Sequence, residues 1–146
     1  HDIGKVGIPD AILLKAGRLS AGEYKQIKEH PVIGDRLCGE LRSLRQVRPI
    51  VRHHHERLDG SGYPDGLKGD EIPLEGRITA VADVFDALSS KRCYKEAYPL
   101  DRCIEIMQEE RGTHFDPRVV AALNADGGPA VTGSTLEAHA SVSTLL

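Results

Sequence analysis

Three consecutive histidines, His53-His54-His55, run into Glu56 and Asp59 and then into a turn that closes on Gly62-Tyr63-Pro64. Neutral imidazole is the commonest protein ligand for transition metals, and carboxylates suit harder divalent ions. A second mixed nitrogen and oxygen pair, His1-Asp2, stands at the start. These features point to a protein that holds metal and uses it on a substrate. Successive helical residues lie about 100° apart, so Val47, Ile50, Val51 and Leu58 form one stripe on a helical wheel. His54 and His55 fall inside that stripe, while Arg52, His53 and Glu56 fall outside it. The wheel therefore predicts that His54 and His55 face inward and that His53 is a solvated surface residue. Adjacent inward histidines diverge, which suits two neighbouring ions better than one.

Other candidates are weaker one by one. His30 precedes Pro31 at a helix start, and by itself it reads as an exposed residue. Asp83 and Asp86 belong to a helical run in which Ile78, Val81, Phe85 and Leu88 make the apolar stripe. Asp83 lies opposite that stripe, beside Ala80 and Ala87, and is read equally as an ion ligand or as a solvent-facing side chain. Lys91, Arg92 and Lys95 follow this helix and fit either a phosphate or the helix C-terminal dipole. His114, in Gly-Thr-His-Phe-Asp-Pro, reads as part of a helix start rather than of a site.

The elements that must carry these residues are helical. Ser20 with Glu23 forms a capping box that starts a helix at Ala21. Pro31 suits the first turn of a helix whose inner face is expected to be Ile33, Leu37 and Leu41. Pro49 suits the first turn of the histidine helix. Residues 59–76 hold five glycines and two prolines and read as a long loop. Further helices are expected from about Leu74 to Ser89, Pro99 to Arg111 and Pro117 to Leu123. No strand pattern competes, so the fold class is all-α. A domain is expected over residues 1–123, followed by a flexible tail or linker over 124–146, rich in Ala, Gly, Ser and Thr.

Composition bounds the function. At 146 residues the chain is one domain at most, large enough to own a core. Its net charge of −3 gives no pull toward a nucleic acid polymer. No apolar run reaches membrane-spanning length and no signal peptide is visible. Three cysteines at irregular spacing favour reduced thiols and a cytoplasmic setting. The sequence does not begin with Met and reads as a piece of something longer.

Taken together the motifs resemble the HD-GYP family, a branch of the HD-domain metal-dependent phosphohydrolases. The resemblance runs over residues 1–123. It rests on His1-Asp2-Ile3-Gly4-Lys5, Glu29-His30-Pro31 with Gly34, His54-His55-Glu56, Asp59-Gly60, Gly62-Tyr63-Pro64, Asp83 to Leu88, Arg92 with Tyr94-Lys95, and Gly112 to Pro117. It implies an all-α bundle that hydrolyses cyclic di-GMP to linear pGpG and on to GMP in bacterial signalling, with a cluster of two or three divalent metal ions, Fe or Mn ahead of others. By the same resemblance His1, Asp2, His30, His54, His55 and Asp83 are ligands, with Asp2 bridging and Lys5 beside the scissile phosphate. Gly62, Tyr63, Pro64, Arg92 and Lys95 contact the nucleotide. Such ions bind phosphoryl oxygens and activate water for in-line attack. The alternatives are another cyclic dinucleotide such as cyclic GMP-AMP, or a non-catalytic receptor or docking module.

In that family an upstream receiver or sensor domain, diguanylate cyclase partners and homodimers are expected. Upstream helices that add further ligands are missing from this sequence, so the 146 residues alone are expected to bind metal poorly and turn over little. Cys93, where the family has Pro, and Leu58, where it has an aromatic, depart from the pattern without removing a ligand.

Overall fold

The computed structural model describes residues 1–91 and 96–125. The expectations for Arg92, Cys93, Lys95 and for the tail beyond residue 125 lie outside the described residues. Among the described residues the helices are α1 (Asp10–Leu13), α2 (Ala21–Ile27), α3 (His30–Glu40), α4 (Arg48–His53), α5 (Leu74–Ser89), α6 (Leu100–Glu109) and α7 (Pro117–Ala125). Short 3-10 helices occupy Asp2–Gly7, Arg42–Val47 and Gly69–Glu71. Among the described residues the β-type pairing is a single isolated bridge between Arg111 and Phe115. The fold is all-α.

Proline decides where most helices start. Pro9, Pro73 and Pro99 stand just before α1, α5 and α6, with φ near −55° and extended ψ. Pro31 and Pro49 lie in the first turn of α3 and α4, and Pro117 is the first residue of α7. In these positions the missing N–H costs nothing and the fixed φ suits the helix. α2 instead uses the capping box: Ser20 Oγ accepts from the Glu23 N–H, and Glu23 accepts from the Ser20 N–H at 2.6 Å.

Two packing regions result. In the first, Val81, Val84 and Leu88 of α5 meet Cys103, Ile106 and Met107 of α6, closed by Phe115 and Val120. The second joins the first 3-10 helix to α3 and α4 through glycine. A Cβ on Gly4 would collide with the backbone carbonyl of His30, and one on Gly34 would lie 2.6 Å from Val51 Cγ1. This close backbone approach brings the His1-Asp2 pair against the start of α3. None of the described helices is long and apolar enough to cross a membrane.

Five expectations are corrected. The inner face of α3 is His30, Pro31, Gly34, Asp35 and Cys38, whereas Leu37 and Leu41 are exposed. Glycine contact and the Asp35 ion pairs decide this face, not the largest apolar residues. Arg48 Nε donates to Asp35 at 2.7 Å and Arg52 Nη1 at 3.3 Å. On α5 the buried set is Gly76, Ala80, Val81, Val84, Ala87 and Leu88, and Ile78 is exposed. Finally, α4 ends at His53 rather than near Leu58, so a wheel drawn past that residue misplaces the side chains beyond it. Glu56, expected outside the apolar stripe, is 2% exposed. His53, expected in solvent, is mostly covered because Gly76 packs on it.

His114 sits at the hinge between α6 and α7, stacked on Phe115 with ring centroids 4.1 Å apart. Its Nδ1 accepts from Arg57 Nη1 at 3.1 Å, and Arg57 Nη2 donates to Glu110 at 3.0 Å. Burial, helped by the Arg57 charge, lowers its pKa to about 3. The unfolded chain therefore takes up this proton below about 6.5 while the folded one does not. The associated stability is full above pH 6.5 and is lost as pH falls toward 3. Urea unfolding at pH 7 and pH 5 is expected to show His114→Gln losing about 2 kcal/mol less over that interval than the unsubstituted protein. Equal losses in both would refute the assignment.

Candidate metal centre

His30 and His54 are each locked by a backbone carbonyl. His30 Nδ1 lies 2.7 Å from Ile27 O, and His54 Nδ1 lies 2.9 Å from Val51 O. These partners assign the proton of each neutral ring to Nδ1, which leaves both Nε2 lone pairs free. The two Nε2 atoms face each other at 3.3 Å. Asp2 Oδ1 stands 3.4 Å from one and 3.9 Å from the other. Three acceptors thus converge on one point with no hydrogen between them, in a place where both rings are about 1% exposed.

Such a junction repels itself unless a cation sits in it. A proton serves poorly, because burial and the neighbouring His1 and His30 lower the His54 pKa to about 4. Burial holds His55 well below the usual imidazole range as well. A divalent metal ion fits the donor set: neutral imidazole nitrogens held in place by main-chain carbonyls, with a carboxylate beside them. Asp2, His30, His54 and His55 each offer one donor atom, all within 4.8 Å of one another. The rings of the adjacent His54 and His55 lie with centroids 4.1 Å apart, and both offer a donor atom to this cluster.

The other oxygen of Asp2 faces a different set. His1 Nε2 is 3.7 Å from Asp2 Oδ2 and 3.3 Å from Asp83 Oδ1. Asp83 lies on the same stripe of α5 as Gly76, Ala80 and Ala87; its side chain is 17% exposed and faces His1 rather than open solvent. Lys5 Nζ donates to Asp2 Oδ2 at 2.6 Å. Burial alone would raise the Asp2 carboxyl, but the Lys5 hydrogen bond and the charge of Lys5 hold it far below the usual carboxylate range. Burial pulls Asp83 up, and its contact with His1 more than offsets this. Reciprocally, Asp83 raises the His1 pKa. His1, Asp2, Lys5, His30, His54, His55 and Asp83 are all brought together.

The Gly-Tyr-Pro loop is tied to this cluster. The Tyr63 ring stacks on His55 with centroids 4.8 Å apart, and the Tyr63 N–H donates to the His55 carbonyl at 3.2 Å. Gly62 lies so close to the Glu56 and Arg57 backbone that no Cβ fits. Pro64 is half-buried after a cis peptide bond. Glu56, which the wheel set aside, is the clamp: its two oxygens accept the Asp65 N–H at 2.8 Å and the Leu67 N–H at 3.1 Å. The signal available in the sequence was its place between the histidines and Gly62. Glu56→Ala leaves two backbone donors without their partner, and it is expected to cost about 2–4 kcal/mol in urea unfolding. A loss under about 0.5 kcal/mol would mean that water replaces the clamp.

His53, Glu56 and Asp65 also gather, but their oxygens are already used. Arg52 holds Asp65 through two hydrogen bonds of 2.7 Å. This second group is structural.

A family model described as HD domain matches residues 1–119. A protein of Xanthomonas campestris named cyclic di-GMP phosphodiesterase response regulator RpfG is 54% identical over 125 residues, covering 84% of this chain and 33% of its own length. A Vibrio cholerae protein named cyclic di-GMP phosphodiesterase is 48% identical, over 86% of this chain and 27% of its own. A second Vibrio cholerae protein, named 3′3′-cGAMP-specific phosphodiesterase 2, is 47% identical, over 84% of this chain and 24% of its own. The chain thus spans about a quarter to a third of the length of these relatives.

Proposed function

The chain belongs to the HD domain family, and from that premise we propose that it is the catalytic segment of a metal-dependent phosphodiesterase that opens cyclic di-GMP to linear pGpG and carries it on to GMP. The observation that carries the chemistry is the junction where His30, His54 and Asp2 point acceptors at one another across 3.3–3.9 Å. The names of relatives at 48–54% identity support the substrate.

His1, Asp2, His30, His54, His55 and Asp83 would hold the ions. Two or three are proposed, and Asp2, whose oxygens face both His30 with His54 and His1 with Lys5, would be among the residues that hold them. Imidazole and carboxylate donors without a thiolate favour Fe or Mn. Bound ions would supply charge for the phosphoryl oxygens and a water of lowered pKa. The chain's own residues orient and exclude. Val51 and Ile27 carbonyls fix the two buried rings, so that their nitrogens need no reorganisation. Lys5 holds Asp2 in place and offsets charge that develops on the phosphate. Tyr63 walls one side, and Gly62, Pro64, Arg92 and Lys95 complete the nucleotide contacts.

A longer cytoplasmic bacterial protein with an upstream receiver or sensor domain is the proposed setting, in keeping with the relative named as a response regulator. Homodimers and diguanylate cyclase domains are the proposed partners. The domain proper is proposed to occupy residues 1–123.

The metal-loaded parent protein incubated with cyclic di-GMP is expected to yield linear product. Tight binding without turnover would instead make it a receptor. Chelation is expected to lower the melting temperature of the parent by a few degrees, since an ion at about 100 times its Kd contributes about 2.7 kcal/mol. An unchanged melting curve would contradict the metal centre. A second substrate, 3′3′-cGAMP, is favoured by the relative named for it at 47% identity. A side-by-side comparison of kcat/KM on the two dinucleotides decides between them.

A further inference from the structure

Lys28 lies between α2 and α3, two residues before His30, and is half-buried. Its ammonium stands 4.9 Å from the centroid of the Tyr24 ring and 4.9 Å from that of Tyr63. Tyr63 is itself stacked on His55. His55, Tyr63, Lys28 and Tyr24 therefore make a continuous row from the candidate metal centre to the surface, where Tyr24 is 37% exposed. Among the described residues no carboxylate pairs with Lys28, whereas Lys5 is held by Asp2 at 2.6 Å and Lys15 by Glu23 at 2.7 Å.

Aromatic faces on two sides fix where the ammonium sits without neutralising it. A half-buried cation with no counter-charge attracts an anion more strongly than a solvated one does. A cyclic dinucleotide carries two phosphodiesters. With one at the metal centre, the other is left to be met by some other cation, and Lys28 stands one ring away from His55. Lys5 does not serve this second group, because its hydrogen bond to Asp2 holds it beside the first.

We propose that Lys28, fixed between Tyr24 and Tyr63, binds the phosphodiester of a cyclic dinucleotide that is not being cleaved. This rests on the cyclic dinucleotide reading of the site. The test is steady-state hydrolysis of cyclic di-GMP by the metal-loaded parent protein. Lys28→Gln is expected to raise KM about 10-fold, with a smaller change in kcat and unchanged metal content, because a lost charge-assisted contact acts on binding. Lys28→Arg is expected to recover most of the affinity. The rise of KM with ionic strength is expected to be shallower in Lys28→Gln than in the unsubstituted enzyme. Lys25→Gln, an exposed lysine on α2, is the control and is expected to leave KM unchanged.

An unchanged KM in Lys28→Gln overturns this inference alone. So does an equal rise in Lys25→Gln, which would be a general charge effect. A drop in kcat together with lost metal at constant KM makes Lys28 a structural support and also overturns it. If the unsubstituted parent neither binds nor hydrolyses cyclic dinucleotides, the functional reading fails first and this inference falls with it.

Discussion

His54→Ala is expected to lower phosphodiesterase activity of the metal-loaded parent protein by on the order of 10²–10³-fold or more, together with its metal content. The ring is about 1% exposed and offers a single free nitrogen, Nε2, since Nδ1 is committed to the Val51 carbonyl. His1, His30 and His55 all pack against it or near it, so truncation also leaves a void among the remaining donors. The loss is expected to exceed the roughly 10–100-fold typical of changes to groups that only support a ligand. Metal analysis alongside the rate separates the two effects. A variant that keeps full activity, or that loses activity with all its metal in place, would remove His54 from the ligand set. Asp83→Ala is expected to act in the same direction through His1.

The second large effect concerns a residue with no side chain. Gly4→Ala is expected to destabilise the protein by about 3 kcal/mol or more, because the added carbon meets the His30 carbonyl and the Gly34 amide, neither of which can rotate away. The collision also pushes the His1-Asp2 segment off α3, so activity should fall in parallel with stability. Gly22→Ala provides the contrast. It lies in α2 with nothing within 4 Å of an added Cβ, and it is expected to gain about 0.4–1 kcal/mol. Chemical unfolding of the two variants measures both. A Gly4→Ala protein of ordinary stability would show that the 3-10 helix does not rest on α3 as described.

Helix starts were legible in the sequence because proline and the Ser20-Glu23 box act locally, within one turn. The inward pair His54 and His55 was legible too, although the wheel that chose them assumes a helix longer than the one that forms. The faces of α3 and α5 were not. Which side of α3 is buried depends on Gly34 meeting Gly4, a contact between residues far apart in the chain. Ile78 and Leu37 look like core residues on a wheel, yet the buried faces pass through Ala80 and Cys38 instead. His30 read alone as a surface residue, since nothing in its neighbourhood announces the 3-10 helix that covers it. Asp83 was undecided for the same reason: only the arrival of His1 from the far end of the sequence gives it a task. Glu56 was misjudged because the helix assumed to reach Leu58 ends at His53.

The Glu56 clamp has a bearing on how substrate preference could diverge among such enzymes. One carboxylate fastens the backbone at Asp65 and Leu67, while Gly62 is pressed against Glu56 itself and Tyr63 leans on His55. The Gly-Tyr-Pro loop and the histidine cluster are therefore one mechanical unit. Under the cyclic dinucleotide reading, evolution cannot reshape the loop's main chain without disturbing the cluster, and discrimination between guanine and adenine rings would be left to side chains on a fixed rim.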